Sequence, residues 1–106
     1  MRLPSGNTLI GTGNGHSVIE VTPEKKIVWA LHQDDLPGIR LAWVTTLQVL
    51  ENGNIVIGNC HAEPENPQIV EVNRDKQVVW QFRDFERFGN ALTNSQILAV
   101  DGVAIP

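Results

Sequence analysis

An all-β fold of four-stranded antiparallel meanders is predicted by three observations in the 106-residue sequence. The chain repeats itself, each repeat holds four short segments rich in β-branched residues, and turn chemistry of the Asn-Gly kind separates them. Leu3-Pro4-Ser5-Gly6-Asn7-Thr8-Leu9-Ile10-Gly11 returns 47 positions later as Leu50-Glu51-Asn52-Gly53-Asn54-Ile55-Val56-Ile57-Gly58. Val18-Ile19-Glu20-Val21-Thr22 returns as Ile69-Val70-Glu71-Val72-Asn73, and Lys26-Ile27-Val28-Trp29 as Gln77-Val78-Val79-Trp80, both at a shift of 51. The change of shift from 47 to 51 places a four-residue insertion where Gly13-Asn14-Gly15-His16 gives way to the longer stretch from Cys60 to Pro67. A third correspondence, at a shift of 48, joins Val44–Leu50 to Leu92–Leu98 and ends in Asn52-Gly53 in one copy and Asp101-Gly102 in the other.

The elements follow in order. Residues 1–31 read as strands B, C and D of a first meander, with Ser5-Gly6 as its weaker hairpin turn. Residues 43–82 read as a complete meander: A over Trp43–Leu50, B over Asn54–Asn59, C over Gln68–Asn73 and D over Gln77–Phe82. Asn52 and Gly53 both tolerate positive φ and suit a tight A–B turn. Residues 91–106 read as strand A of a further meander. A four-stranded unit of about 40 to 50 residues has the size of one propeller blade. Ile55-Val56-Ile57 and Ile97-Leu98-Ala99-Val100 read as strands covered on both faces, as inner blade strands are. Trp29 and Trp80 take the same place in strand D, where an indole wedged against the next blade is the expected role. A β-sandwich of seven or eight short strands is the other layout this pattern allows.

Composition excludes several functions. Eight Lys+Arg stand against twelve Asp+Glu, for a net charge of −4, with no basic cluster to meet a nucleic-acid backbone. No apolar run approaches the roughly 20 residues of a membrane-spanning helix, and Met1-Arg2-Leu3-Pro4 runs into Gly and Asn without the apolar core of a signal peptide. Cys60 is the lone cysteine, which excludes an internal disulfide and a CxxC metal or redox pair. No cofactor and no metal site is expected, and the compartment stays open.

The run Leu-Pro-Ser-Gly-Asn-Thr-Leu-Ile, then Val-Ile-Glu-Val-Thr-Pro, then Lys-Lys-Ile-Val-Trp resembles the repeats of bacterial quinoprotein-like and arylsulfotransferase-like propellers. The resemblance runs twice over nearly the whole chain and implies the propeller fold more than an activity. In the quinoprotein branch it implies pyrroloquinoline quinone under a disulfide between adjacent cysteines and over a calcium ion, which a chain with Cys60 alone does not match. In the arylsulfotransferase branch it implies a catalytic histidine, and no matching motif surrounds any histidine here.

The phase of the repeat implies a partner. B-C-D, then A-B-C-D, then A makes two blades' worth of strands, whereas closed propellers use about 4 to 8 blades. Apolar faces and edges are left at both ends, and the surplus strand from Ala91 to Val100 matches the one missing before Leu3. Head-to-tail association of identical copies supplies the missing strand and gives a ring if the rotation closes. Three chains give six blades, the favoured closure, and two or four give four or eight. The alternative is a segment of a longer propeller.

Chemistry is expected at the end of the sheets where the B–C and D–A loops emerge, because binding residues concentrate on loops held by a rigid scaffold. The B–C loops carry Asn14 and His16, then Cys60, His61, Glu63 and Glu65; the D–A loops carry His32, Asp34, Asp35 and Arg40, then Arg83, Asp84, Glu86, Arg87 and Asn90. Ligand-binding candidates are His61, Trp43, His32, Arg40, Asn90 and Arg87. Trp43 is matched by Ala91 in the other copy and so is less obviously structural, which suits stacking on a sugar or aromatic ligand. His61 beside Cys60 offers a ligand, a base or a thiol pair, although adjacent residues on a strand point apart. Asp34-Asp35 and Glu63-Glu65 offer hard oxygens without the graded spacing of a calcium loop. The expected function is a non-enzymatic propeller module binding a small polar ligand, carbohydrate or protein on this face. The alternative is a catalytic propeller, sulfotransferase-like or hydrolytic, with His61, His16 and His32 converging near the ring axis.

Overall fold

Two turns of the same build lead into corresponding strands of the two repeats. Leu3–Gly6 closes with the Gly6 N–H donating to Leu3 O at 3.0 Å, and Leu50–Gly53 closes with the Gly53 N–H donating to Leu50 O at 2.9 Å. Gly6 (φ 92°) and Gly53 (φ 89°) take the left-handed conformation, which no Cβ opposes in glycine. The Asn52 backbone does not share it, contrary to the expectation of two positive-φ residues. Instead its side chain accepts from the Asn54 N–H at 2.9 Å, the local bond that favours Asn in turns.

The computed structural model describes residues 1–100 and 102–104. The described residues form an all-β arrangement of two main antiparallel sheets, a two-stranded pair near the C-terminus and one short helix. Thr8–Gly11 (β1), Val18–Val21 (β2) and Ile27–Leu31 (β3) form the first sheet in sequential order. Trp43–Val49 (β4), Ile55–Cys60 (β5), Ile69–Val72 (β6) and Val78–Phe82 (β7) form the second. Each expected strand from Thr8 to Phe82 is present within one or two residues of its predicted ends. Met1 adds a short stub beside β1: its N-terminus donates to Leu9 O, and the Leu9 N–H donates to Met1 O, both at 2.8 Å.

Corresponding residues take corresponding registers. Glu20 lies opposite Trp29 and Glu71 opposite Trp80, and in each sheet the next pair is displaced by a bulge. The extra residues, Val28 and Val79, are pushed outward and exposed. One core cluster joins the sheets: Leu9, Val18 and Leu31 from the first, and Ile55, Ile57, Val70 and Val72 from the second, with Trp29 and Val78 packed against it. A smaller cluster, Leu50, Val56 and Ile69, lies on the other face of the second sheet beneath Phe82, Leu92 and Ile97.

The chain after Phe82 departs from expectation. Phe85–Phe88 forms a short helix (α1) capped by Asp84, whose side chain accepts from the Arg87 N–H. Residues 91–98, expected as an inner strand, form no strand. Ala99–Val100 (β8) pairs only with Val103–Ala104 (β9). Leu98 is 71% exposed, against the burial expected of an inner strand, because none of the described sheets stands on its far side to cover it. Asp101 of the expected Asp101-Gly102 turn and the last two residues of the 91–106 segment lie outside the described residues. No described helix is long and apolar enough to cross a membrane.

Candidate functional site

Strand β5 ends in Asn59 and Cys60 and delivers His61 to the loop end of the second sheet. His61 has φ 59°, a conformation that swings the chain out of the strand and reverses the usual divergence of neighbouring side chains. Cys60 Sγ therefore lies 3.0 Å from His61 Nδ1, a contact the strand geometry assumed from sequence argued against. Asn90 closes the group. Its carbonyl accepts from the His61 N–H at 3.1 Å and from Cys60 Sγ at 3.1 Å, and its Oδ1 accepts from the Glu63 N–H at 2.9 Å. Asn90 thus holds the B–C loop to the D–A loop, while Cys60 itself is buried.

Trp43, at the start of β4, pairs with Cys60 across the sheet, which sets its indole beside the next residue. The Trp43 and His61 rings lie 5.7 Å apart at 31°, and Trp43 is 49% exposed. The indole also approaches Gly13, where an added Cβ would stand 3.0 Å from Nε1. His16 lies close by in sequence: its Nδ1 is 2.7 Å from Ala42 O, so it anchors the residue before Trp43. Three predicted residues, His61, Trp43 and Asn90, are thereby brought together, with His16 behind them.

The others lie elsewhere. The His32 N–H donates to Asp35 Oδ2 at 2.7 Å. That bond, with Lys76 nearby, holds the Asp35 carboxyl below its ordinary value. Arg40 pairs with Asp34 at 3.6 Å, and its N–H donates to Asn66 Oδ1 at 2.8 Å. These residues border a shallow hollow of about 250 Å³ lined by Asp34, Leu36, Gly38, Ile39, Arg40 and Asn66. Arg87 sits on α1, paired with Asp84 at 3.6 Å and exposed. The carboxylates weighed as calcium ligands include Asp34 and Asp35, which are engaged by Arg40 and Lys76. Among the described residues no three His, Cys, Asp or Glu side chains are placed to hold a metal ion.

Asn59 was missed at the sequence level. It is fully buried, accepts from the Ala42 N–H at 2.6 Å, and donates to Arg40 O at 3.2 Å and Pro67 O at 3.3 Å. The signal was an amide within an otherwise apolar run, since a buried polar side chain persists only where its bonds are met. A larger groove, about 860 Å³, opens at the opposite end of the sheets, between the turns, lined among others by Leu3, Trp29, Leu50 and Arg74.

No family model and no curated protein matches the chain. A crystal structure of a protein of unknown function from Bacteroides caccae is similar to it, with 31% sequence identity and a TM-score of 0.73. The match covers 85% of this chain and 35% of the other, so this chain spans about a third of the length of that structure.

Proposed function

We propose that the chain is a propeller module, completed into a ring by further copies of itself, that binds carbohydrate over Trp43 and His61 at its loop end. The observation that carries the ligand reading is the half-exposed Trp43 ring tilted against His61. An exposed indole offers a flat apolar face for the C–H side of a sugar, and an adjacent imidazole offers a hydrogen-bonding edge for its hydroxyls. Asn90 fixes the loop that carries His61, so little ordering remains to be done on binding. The module reading is supported by the shared registers of the two sheets, in which corresponding residues of the repeat take corresponding places.

The test is a titration of the protein with a panel of neutral and acidic oligosaccharides, followed by tryptophan fluorescence and by heteronuclear chemical shifts. Saturable shifts centred on Trp43, lost in Trp43→Ala and weakened in His61→Ala, are expected. A panel that moves neither residue overturns the reading.

A further inference from the structure

The contact between the two sheets is the template for what the molecule leaves uncovered. The first sheet turns Leu9, Val18, Glu20, Trp29 and Leu31 toward the second, and the second answers with Ile55, Ile57, Val70, Val72 and Val78. Shifted by 47 or 51 positions, the first group becomes Val56, Ile69, Glu71, Trp80 and Phe82, the far face of the second sheet. Shifted back, the second group becomes Thr8, Ile10, Ile19, Val21 and Ile27, the far face of the first sheet. Among the described residues no sheet covers either face: Ile27 is 62% exposed, Ile10 39% and Trp80 42%, while Val56 and Ile69 on the Trp80 face lie beneath Leu92 and Ile97, where the surplus inner segment rests. The two outward faces are therefore the two halves of a contact the chain already makes inside itself.

We infer that the Trp80 face of one copy takes the Ile10–Ile27 face of a second copy, head to tail, in the geometry of the internal sheet contact. This rests on the ring reading and gives it a named interface. The template also specifies the polar part. Inside the chain, Trp29 Nε1 donates to Arg74 O at 3.0 Å, and the Arg74 guanidinium lies over the Trp29 ring and pairs with Glu20. Asn7 supports Glu20 at 2.7 Å, as Asn54 supports Glu71 at 2.8 Å. At the new contact, the residue corresponding to Arg74 is Pro23, whose carbonyl takes no hydrogen bond from another described residue and can accept from Trp80 Nε1, but which brings no cation to Glu71. The turns match, with the Lys25 N–H donating to Thr22 O at 2.9 Å and the Lys76 N–H to Asn73 O at 3.1 Å. An arginine therefore fits at position 23. The inner strand is supplied by residues 92–95, opposite Ile10 and Gly11 of the second copy. The donor must turn away where that copy's Met1 already bonds Leu9, and Leu98 is already outside the packing.

Sedimentation of the full chain tests this. Concentration-dependent association is expected, abolished by Ile10→Asp and by Trp80→Asp, whose folding is checked by urea titration. Because the contact is head to tail, a mixture of the two monomeric variants must regain a one-to-one dimer and nothing larger. Pro23→Arg must tighten association about tenfold or more by giving Glu71 its missing partner. An oligomer indifferent to Ile10, Trp80 and Pro23 overturns this interface and leaves the ring reading standing. A chain that stays monomeric up to its solubility limit, both as wild type and as Pro23→Arg, overturns both.

Discussion

Cys60 Sγ lies 3.0 Å from His61 Nδ1 although the two residues are adjacent in a strand end. The cause is the positive φ of His61, which costs a residue with a Cβ about 1 kcal/mol or more relative to glycine. His61→Gly and His61→Val both lose the imidazole, so their difference isolates the backbone. His61→Val is expected to be less stable than His61→Gly by about 1–2 kcal/mol in urea denaturation. Equal stabilities would mean that the strand end relaxes out of this conformation at no cost.

Asn59 is the buried clamp on the loop that leads into Trp43. Replacing it by Leu strands the Ala42 N–H and the carbonyls of Arg40 and Pro67. A loss of about 3 kcal/mol is expected, since a buried backbone group left without its partner keeps its full desolvation penalty. Hydrogen exchange at the Ala42 amide should accelerate more than exchange in β1–β3. Equal acceleration everywhere would instead indicate general destabilisation.

Strand positions were legible because β-branched runs and punctuating turns recur at a fixed shift, and the eye needs no tertiary information to align them. The inner-strand expectation for residues 91–98 failed for a physical reason: Ile97 and Leu98 carry strand composition, but a strand needs an edge to pair with, and none of the described strands pairs with that segment. The loop end was legible as a class of residues and not as a constellation. The left-handed backbone at His61 is signalled only by a preference that histidine shares with asparagine and aspartate, and that preference alone does not separate His61 and His16 from His32. Asn90 acts largely through its carbonyl, which every residue possesses.

Acid should loosen the contact between the sheets. Hydrogen bonds from Asn7 and then Arg74 hold the Glu20 carboxyl below its ordinary 4.5, against the opposing effect of burial. A depressed carboxylate contributes stability that is complete above its unfolded value and lost as pH falls through the folded one. The urea midpoint is therefore expected to fall as pH drops below about 4.5, with Asp35 adding in the same direction. Glu20→Gln should lower stability at neutral pH and flatten that acid slope. An unchanged slope in Glu20→Gln would remove Glu20 from the account.

Gly58 marks the place where β4 and β5 come too close for any side chain. A Cβ there would overlap Thr46 Oγ1 and stand 2.9 Å from Thr45 Oγ1, inside the stretch where the β4 register shifts between Val44 and Leu47. The Gly58 backbone is not in the left-handed region, so the cost of Gly58→Ala is steric and about 1–3 kcal/mol. The two hydroxyls are short and held on β-branched side chains, which limits how far they can yield. Thr46→Ala removes the nearer obstacle while keeping the strand. The double variant Gly58→Ala/Thr46→Ala should therefore recover part of the loss, giving a coupling of about 1 kcal/mol in a double-mutant cycle read by urea denaturation. Strict additivity would mean that β4 shifts bodily to admit the methyl group, and the bulge would then be a soft feature of the sheet.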